Sequence, residues 1–342
     1  MKRKCSRLLT IILAAFVLVN VLGTYRTANA DDSSIATYVV PAITDNKILP
    51  KSSIDSSYLS DTISTQASPG EYKALSFVVN SNVSIEDLQV EASDLIANLS
   101  TISSTNVDIK TVKCWYQGSY GMNLWPNGRF LTPELLLKDD SLVSVEGDDW
   151  TEYNVSNPNG KNYLKVNGSY IDVSSDTPIR TGSYNVPISE RPVQDAATLQ
   201  PLNLPANYNK QFWITLHIPE NAIADDYTGA ISLKNGNEII KVLNLNVKVL
   251  PINLLQPNIE YSIYNYAKLN DTGSISAEYK TVEQYTAEQV NMKKHGIASS
   301  NIRNWETDDN LIQMLSIRQQ AGMDNTNLYH WISTGGTANA DD

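Results

Sequence analysis

The sequence predicts a multidomain chain, β first and α/β afterwards: an antiparallel β-sandwich followed by a strand-helix-strand-helix-strand run. Two observations carry this. From about residue 69 to 250 apolar residues recur with period two, as in Phe212, Ile214, Leu216 and Ile218, or Leu243, Leu245, Val247 and Val249, the spacing of strands with one buried face. Beyond Pro257 the pattern lengthens, giving strands over 261–267, 298–305 and 328–332 and helices over 281–295 and 308–321. Three parallel strands with right-handed crossovers open either a barrel or a doubly wound sheet, and in both the ligand site forms at the C-terminal strand ends.

Each element has a local reason. The first thirty residues hold Lys2, Arg3, Lys4 and Arg7, then an apolar run over 8–21, then Ala28-Asn29-Ala30, the order of a secretory signal peptide. An uncleaved anchor is the alternative, although a full span needs about 20 apolar residues. Residues 31–67 are rich in Ser, Asp and Thr and are expected as a flexible lead-in with one short strand at 37–40. The sandwich follows over 68–256, its hairpins marked by Asn167-Gly168 and Asn235-Gly236, which favour the positive φ of two-residue turns. Pro251 and Pro257 bracket the boundary, and 257–342 is the α/β part. There Thr281 and Gln284 form a capping box, Lys293, Lys294 and His295 complement the helix dipole, and Gly296 suits the left-handed residue beyond the helix. Thr307 precedes the second helix, whose apolar face is expected at Leu311, Ile312 and Leu315 and whose end is Gly322. A three-stranded half-sheet leaves an apolar edge unpaired, so the sequence reads as the N-terminal portion of something longer.

Charge bounds the partners. The leader holds five basic residues and no acidic ones, so its removal takes the formal charge from −11 to −16. A surface that negative repels nucleic-acid backbones and anionic lipid, so no nucleic acid and, after signal cleavage, no membrane is expected, and neutral ligands fit better. Cys114 remains as the single mature thiol, without a local motif that would activate it. His217, His295 and His330 share no metal-ligand spacing, Asp139-Asp140 and Asp148-Asp149 read as solvated loop charges without the setting of a calcium loop, and no glycine-rich phosphate loop follows the strands. No metal or cofactor is therefore expected. Trp115, Trp125 and Trp150 could form a sugar-stacking platform or simply pack in the core. The sequons at Asn82, Asn98, Asn154, Asn167 and Asn270 matter only in a host that glycosylates.

Several strings then resemble one family. "VSIEDLQVEASDL", "VKCWYQ", "LTPELLLKDDSLV" and "FWITLHIPENAIADDYTGAISL" are similar to the sandwich domain of glycoside hydrolase family 123-like proteins, and "YSIYNYAKL", "MKKHGIASSNI" and "IRQQAGMDNTNLYHW" to the start of their catalytic barrel. The resemblance implies that the α/β part is the first three strands of an incomplete (β/α) TIM-type barrel. It also implies a secreted protein with a carbohydrate partner, of a retaining, β-N-acetylhexosaminidase (β-N-acetylgalactosaminidase-like) type with a substrate-assisted mechanism. In that mechanism the sugar's 2-acetamido oxygen attacks, one carboxyl orients it and another acts as acid and base. The family's Asp-Glu pair lies on a later strand, and no residue here matches it, so no catalytic residue is assigned and the chain alone is expected to be inert. Ala224-Asp225-Asp226 departs from the family's proline and glycine before the Tyr-Thr-Gly turn. A non-catalytic glycan-binding or surface scaffold protein is the alternative.

On such a barrel the strand-end residues are Tyr264 and Tyr266, then Arg303 and Trp305, then His330 and Trp331. Aromatic rings suit the apolar faces of sugars and forked donors their hydroxyl rims, so these six are the expected substrate contacts. Some would point outward, because strand residues alternate. Glu306, Asp308 and Asp309 are explained by the positive end of the second helix rather than by catalysis.

Overall fold

The computed structural model describes residues 34–118, 128–152, 155–174, 194–255, 258–265, 267–269, 279–303, 308–323 and 330–331. The leader expected over 1–30 lies outside them. The period-two alternation builds strands β1 (Ile35–Val40), β2 (Thr62–Ala67), β3 (Tyr72–Ser81), β4 (Ile85–Ala92), β5 (Leu95–Ile96), β6 (Thr101–Ile102), β7 (Val107–Gly118), β8 (Arg129–Leu137), β9 (Val143–Glu146), β10 (Lys161–Val166), β11 (Ser169–Asp172), β12 (Leu202–Leu204), β13 (Asn209–His217), β14 (Asp226–Asn235) and β15 (Glu238–Val249). One sheet is antiparallel throughout, in the order β1-β3-β13-β7-β8. The second runs β12-β4-β14-β15-β2, with β5 alongside β14 and β6 paired to β5. It is mixed rather than purely antiparallel, because β2 joins β15 in parallel.

The two sheets share one apolar core. Phe77 and Phe212 face each other across β3 and β13 with ring centroids 5.1 Å apart, and Ile214, Leu216, Ile231, Leu233, Leu243 and Leu245 are fully buried in the same cluster. Each such side chain contributes about 1.5–3 kcal/mol by leaving water. A smaller sheet, β11-β10-β9, turns at Asn167 and Gly168, both at positive φ, as the sequence predicts. In the β14–β15 hairpin only Gly236 has positive φ, and Asn235 is the last paired residue. The turn is therefore centred one residue later than expected, with glycine at its first central position.

Residues 34–67 hold more structure than their composition predicts. β1 pairs with β3 and β2 completes the second sheet, while Ile63 and Ala67 are buried and Thr62 and Ser64 are exposed. An edge strand with one wet face needs few apolar residues, which is why composition alone reads as a loose lead-in. The irregular stretch between the strands is also pinned. Leu49 is fully buried, the Asn209 side-chain amide donates to the Leu49 and Ser52 carbonyls at 3.0 and 2.7 Å, and the Asn209 backbone N–H donates to Pro50.

The remaining strands are short: β16 (Ser262–Ile263), β17 (Lys268–Leu269), β18 (Tyr279–Lys280), β19 (Ser299–Ser300), β20 (Ile302–Arg303) and β21 (His330–Trp331). They pair in parallel as β16 with β19, β17 with β18 and β20 with β21. Among the described residues these are three separate ladders, short of the continuous three-stranded sheet the sequence predicts. The second strand is interrupted at Asn301, whose backbone N–H donates to Ile263 and whose side chain accepts from the Asn265 N–H.

Both helices stand where expected. Val282–Lys294 begins with the Thr281–Gln284 capping box, and Asp308–Gln320 follows β20. Each ends in a glycine at positive φ, Gly296 and Gly322. The next N–H in turn reaches back to Met292 and to Arg318, the paired closure of a Schellman motif. The second helix buries Met314 and Ile317 with Leu311 and Leu315 beside them, whereas Ile312 is 65% exposed, so the apolar face is rotated from the expected one. An aromatic stack joins this part to the sandwich. Tyr72 of β3 lies between His217 at the end of β13, at 4.4 Å, and His295 at the end of the first helix, at 4.6 Å.

Candidate functional site

The ends of the parallel strands bring three of the six expected contacts together. In the β20–β21 ladder Arg303 lies opposite Trp331 and Ile302 opposite His330, so Arg303, His330 and Trp331 share one short backbone register. Tyr264 follows β16, the neighbour of β19, and is 68% exposed. Tyr266 and Trp305 lie outside the described residues. So does Glu306, while Asp308 and Asp309 open the second helix as the dipole argument requires.

Behind these ends is a buried polar layer that the sequence reading missed. The Ser300 hydroxyl donates to Gln289 at 2.8 Å. The fully buried Arg318 guanidinium donates to the Ser300 carbonyl and, at 3.1 Å, to its hydroxyl. Tyr285, one turn before Gln289, is buried beside them, and burial lowers the pKa of Arg318. The layer clamps the second strand against both helices, so it sets where Arg303 begins. Its signal in the sequence was Gln289 and Arg318 at the positions that face the sheet, where an apolar residue is the usual choice.

Other candidates prove structural. Cys114 is buried with its thiol 3.6 Å from the Ile48 carbonyl, and burial pushes it up to about 12, so it stays protonated and is no nucleophile. Asp140, expected as a solvated loop charge, is held between two lysines. Lys113 lies 2.8 Å away and Lys210 bonds the other carboxylate oxygen. Burial alone would raise its pKa, but Lys210 and Lys113 outweigh it and hold the carboxyl at about 2. Asp139 accepts from the Ser141 N–H. Asp148 is pushed up by burial, against the pull of Lys113. Trp150 packs on the Leu49–Cys114–Tyr116–Leu131 cluster and donates to the Glu152 carbonyl, a core role, whereas Trp115 donates to Glu134. Trp125 lies outside the described residues. Among the described residues no group of three or more His, Cys, Asp or Glu could hold a metal ion, and no helix is long and apolar enough to cross a membrane.

No protein-family model and no curated protein sequence matches the chain. Its architecture does match a solved structure, a family 123 glycoside hydrolase from Clostridium perfringens studied for glycolipid glycan hydrolysis, with a TM-score of 0.50 at 13% identity. The chain shares its fold with that hydrolase. The match covers 86% of this chain and 46% of the other, so the chain spans less than half the length of the enzyme it resembles. The resemblance carried by the sequence strings thus holds at the level of the fold. A second structure, of AvmM, which catalyses macrocyclization in alchivemycin A biosynthesis, aligns with a TM-score of 0.25 and 11% identity over 66% of this chain and 94% of that one, too low for a shared fold.

Proposed function

We propose that this chain is part of a secreted, glycan-acting, hydrolase-like protein in which a β-sandwich, 68–256, buttresses the opening of a (β/α) barrel, 257–342. The observation that carries the reading is the fold shared with the family 123 hydrolase over 86% of the chain. On this reading Tyr264, Tyr266, Arg303, Trp305, His330 and Trp331 line part of the sugar-binding face, and the buried Gln289–Ser300–Arg318 layer holds the middle strand in place. Rings stack on the apolar faces of sugars, and a guanidinium donates to their hydroxyls in the fixed geometry of its fork.

The reaction is hydrolysis of a β-N-acetylhexosaminide, β-N-acetylgalactosaminide-like, with retention and with the substrate's acetamido group as nucleophile. That chemistry needs one carboxyl to orient the amide and another to move the proton. No residue here matches the family's Asp-Glu pair, so the residues named above are assigned to glycan binding and not to the proton transfer. The test is calorimetric titration of residues 31–342 with N-acetylgalactosamine-terminated oligosaccharides, alongside an aryl β-N-acetylhexosaminide hydrolysis assay. Binding that is lost in Arg303→Ala and Trp331→Ala, with no hydrolysis, is expected. Hydrolysis by the chain overturns the inert assignment, and absence of any glycan binding overturns the glycan role.

A further inference from the structure

The connection from β1 to β2 runs over 41–61, and its one regular piece is a 3-10 turn at Ser56–Tyr58. Loops in compact domains rarely exceed about 12–15 residues without structure of their own, and those that do are functional or disordered. This one is pinned: Leu49 is fully buried beneath it, and Asn209 of β13 donates to the Leu49, Pro50 and Ser52 carbonyls. With Thr151 beside it, the loop borders a cleft of about 620 Å³, within the roughly 300–1,000 Å³ typical of small-ligand sites. The charges in the lining are already spent. Asp55 accepts from the Ser57 N–H at 2.8 Å, and Lys47 is engaged within the protein. Lys51 lies 4.1 Å over the Tyr208 ring and faces the Asp148 carboxyl, whose upward push by burial it opposes. What remains for a ligand is neutral: the half-buried Tyr58 and Ile54 as apolar surface, and the hydroxyls of Thr44, Ser53 and Thr151. The Thr44 hydroxyl accepts from the Asn46 N–H at 3.1 Å, which leaves its own proton to donate.

We infer that this cleft is a second glycan site, which takes a short neutral oligosaccharide. The apolar face of a pyranose ring lies on Tyr58 and Ile54, and its hydroxyl rim meets Thr44, Ser53 and Thr151. An acidic sugar is disfavoured, because both lysines already have partners while Asp55 lines the cleft and Asp148 stands beside Lys51. The inference rests on the glycan reading above but uses residues of the sandwich and its β1–β2 loop, none of them from the strand-end face.

The experiment titrates residues 31–342, as wild type and as Arg303→Ala and Trp331→Ala, with a neutral N-acetylhexosamine oligomer, a neutral hexose oligomer, a hexuronic acid oligomer and the open-chain polyol sorbitol. Saturable binding of a neutral oligomer that persists in Arg303→Ala and Trp331→Ala is expected, with the uronate and sorbitol about tenfold weaker or worse. Tyr58→Ala is expected to weaken the neutral oligomer about tenfold, the loss of one ring contact. Thr151→Trp at the exposed rim, which leaves the core untouched, should block it outright while the circular dichroism melt stays unchanged. Equal or tighter binding of the uronate overturns the assignment, as does neutral binding that neither Tyr58→Ala nor Thr151→Trp alters, or no neutral binding at all. Neutral binding that disappears in Arg303→Ala or Trp331→Ala also overturns it, and leaves the strand-end face intact as the glycan site. A single site that Thr151→Trp abolishes and Trp331→Ala retains supports the cleft and counts against the strand-end face instead.

Discussion

Replacing Asp140 by Asn tests how the turn before β9 is held to β7 and β13. Asp140 is anchored by Lys113 and Lys210, whose side chains are 18% and 12% exposed. With a folded pKa of about 2 against an unfolded value of about 3.9, the ionised carboxyl contributes on the order of 2 kcal/mol. Because the folded pKa is the lower one, that contribution is complete above about pH 4 and is lost as pH falls through 2. The amide keeps the volume of the carboxylate but leaves two buried ammoniums without their counter-charge, a situation that costs about 3–5 kcal/mol when a buried pair is broken. Burial already lowers the pKa of Lys210, so this lysine can shed its proton and limit the loss. The net expectation is a loss of about 2–4 kcal/mol at pH 7. Urea unfolding followed by tryptophan fluorescence, from pH 7 down to pH 2, should show a gap between wild type and variant that closes at the acid end. The double change Asp140→Asn with Lys210→Met should recover part of it. A variant within about 0.5 kcal/mol of wild type at pH 7, the range of an ordinary surface change, would refute the reasoning, and so would a gap that does not depend on pH.

Ile214→Ala, at a fully buried position of the shared core, should lower the unfolding free energy by about 2–5 kcal/mol in the same assay. Gly160→Ala should be destabilising by about 1–3 kcal/mol, because its Cβ would run into the Tyr116 ring; a neutral melt would show that the ring yields freely. Cys114 should resist aromatic disulfide reagents at pH 8 in the folded protein and react at once in denaturant, since its thiol stays protonated until about 12. Thr281→Ala removes half of the capping box and should cost about 1 kcal/mol, read as faster amide exchange in the first turn of that helix alone.

What could be read in the sequence was whatever is decided locally. Glycine beyond each helix, the Thr281–Gln284 pair and the alternation in β13 and β15 express constraints between residues a few positions apart, and each appears in the fold. β1 begins two residues before the strand expected at 37–40, whereas β2 went unforeseen because its partner β15 is distant and a polar edge strand carries almost no signal of its own. Asp140 misled for the same reason: nothing in Asp139-Asp140-Ser141 announces Lys210 of β13. Ile312 looked like part of a buried stripe, but the helix turns Met314 and Ile317 inward instead. At the candidate site, strand-end logic names Arg303, His330 and Trp331, and the backbone pairs Arg303 with Trp331. Gln289 and Arg318 were not foreseen, because a polar residue on a sheet-facing position makes sense only once Ser300 stands opposite.

The parallel union of β2 with β15 also fixes a schedule. Thr62 pairs with Asn244, 182 positions later, and β3 waits for β13. A chain made N-terminus first at about 5–20 residues per second therefore keeps β2 without its partner for roughly ten to forty seconds. The second sheet is completed only when its last strand, β15, has been made. Such long-range closure places it among slow-folding topologies, and a ribosome stalled before residue 244 would leave β2 without a partner.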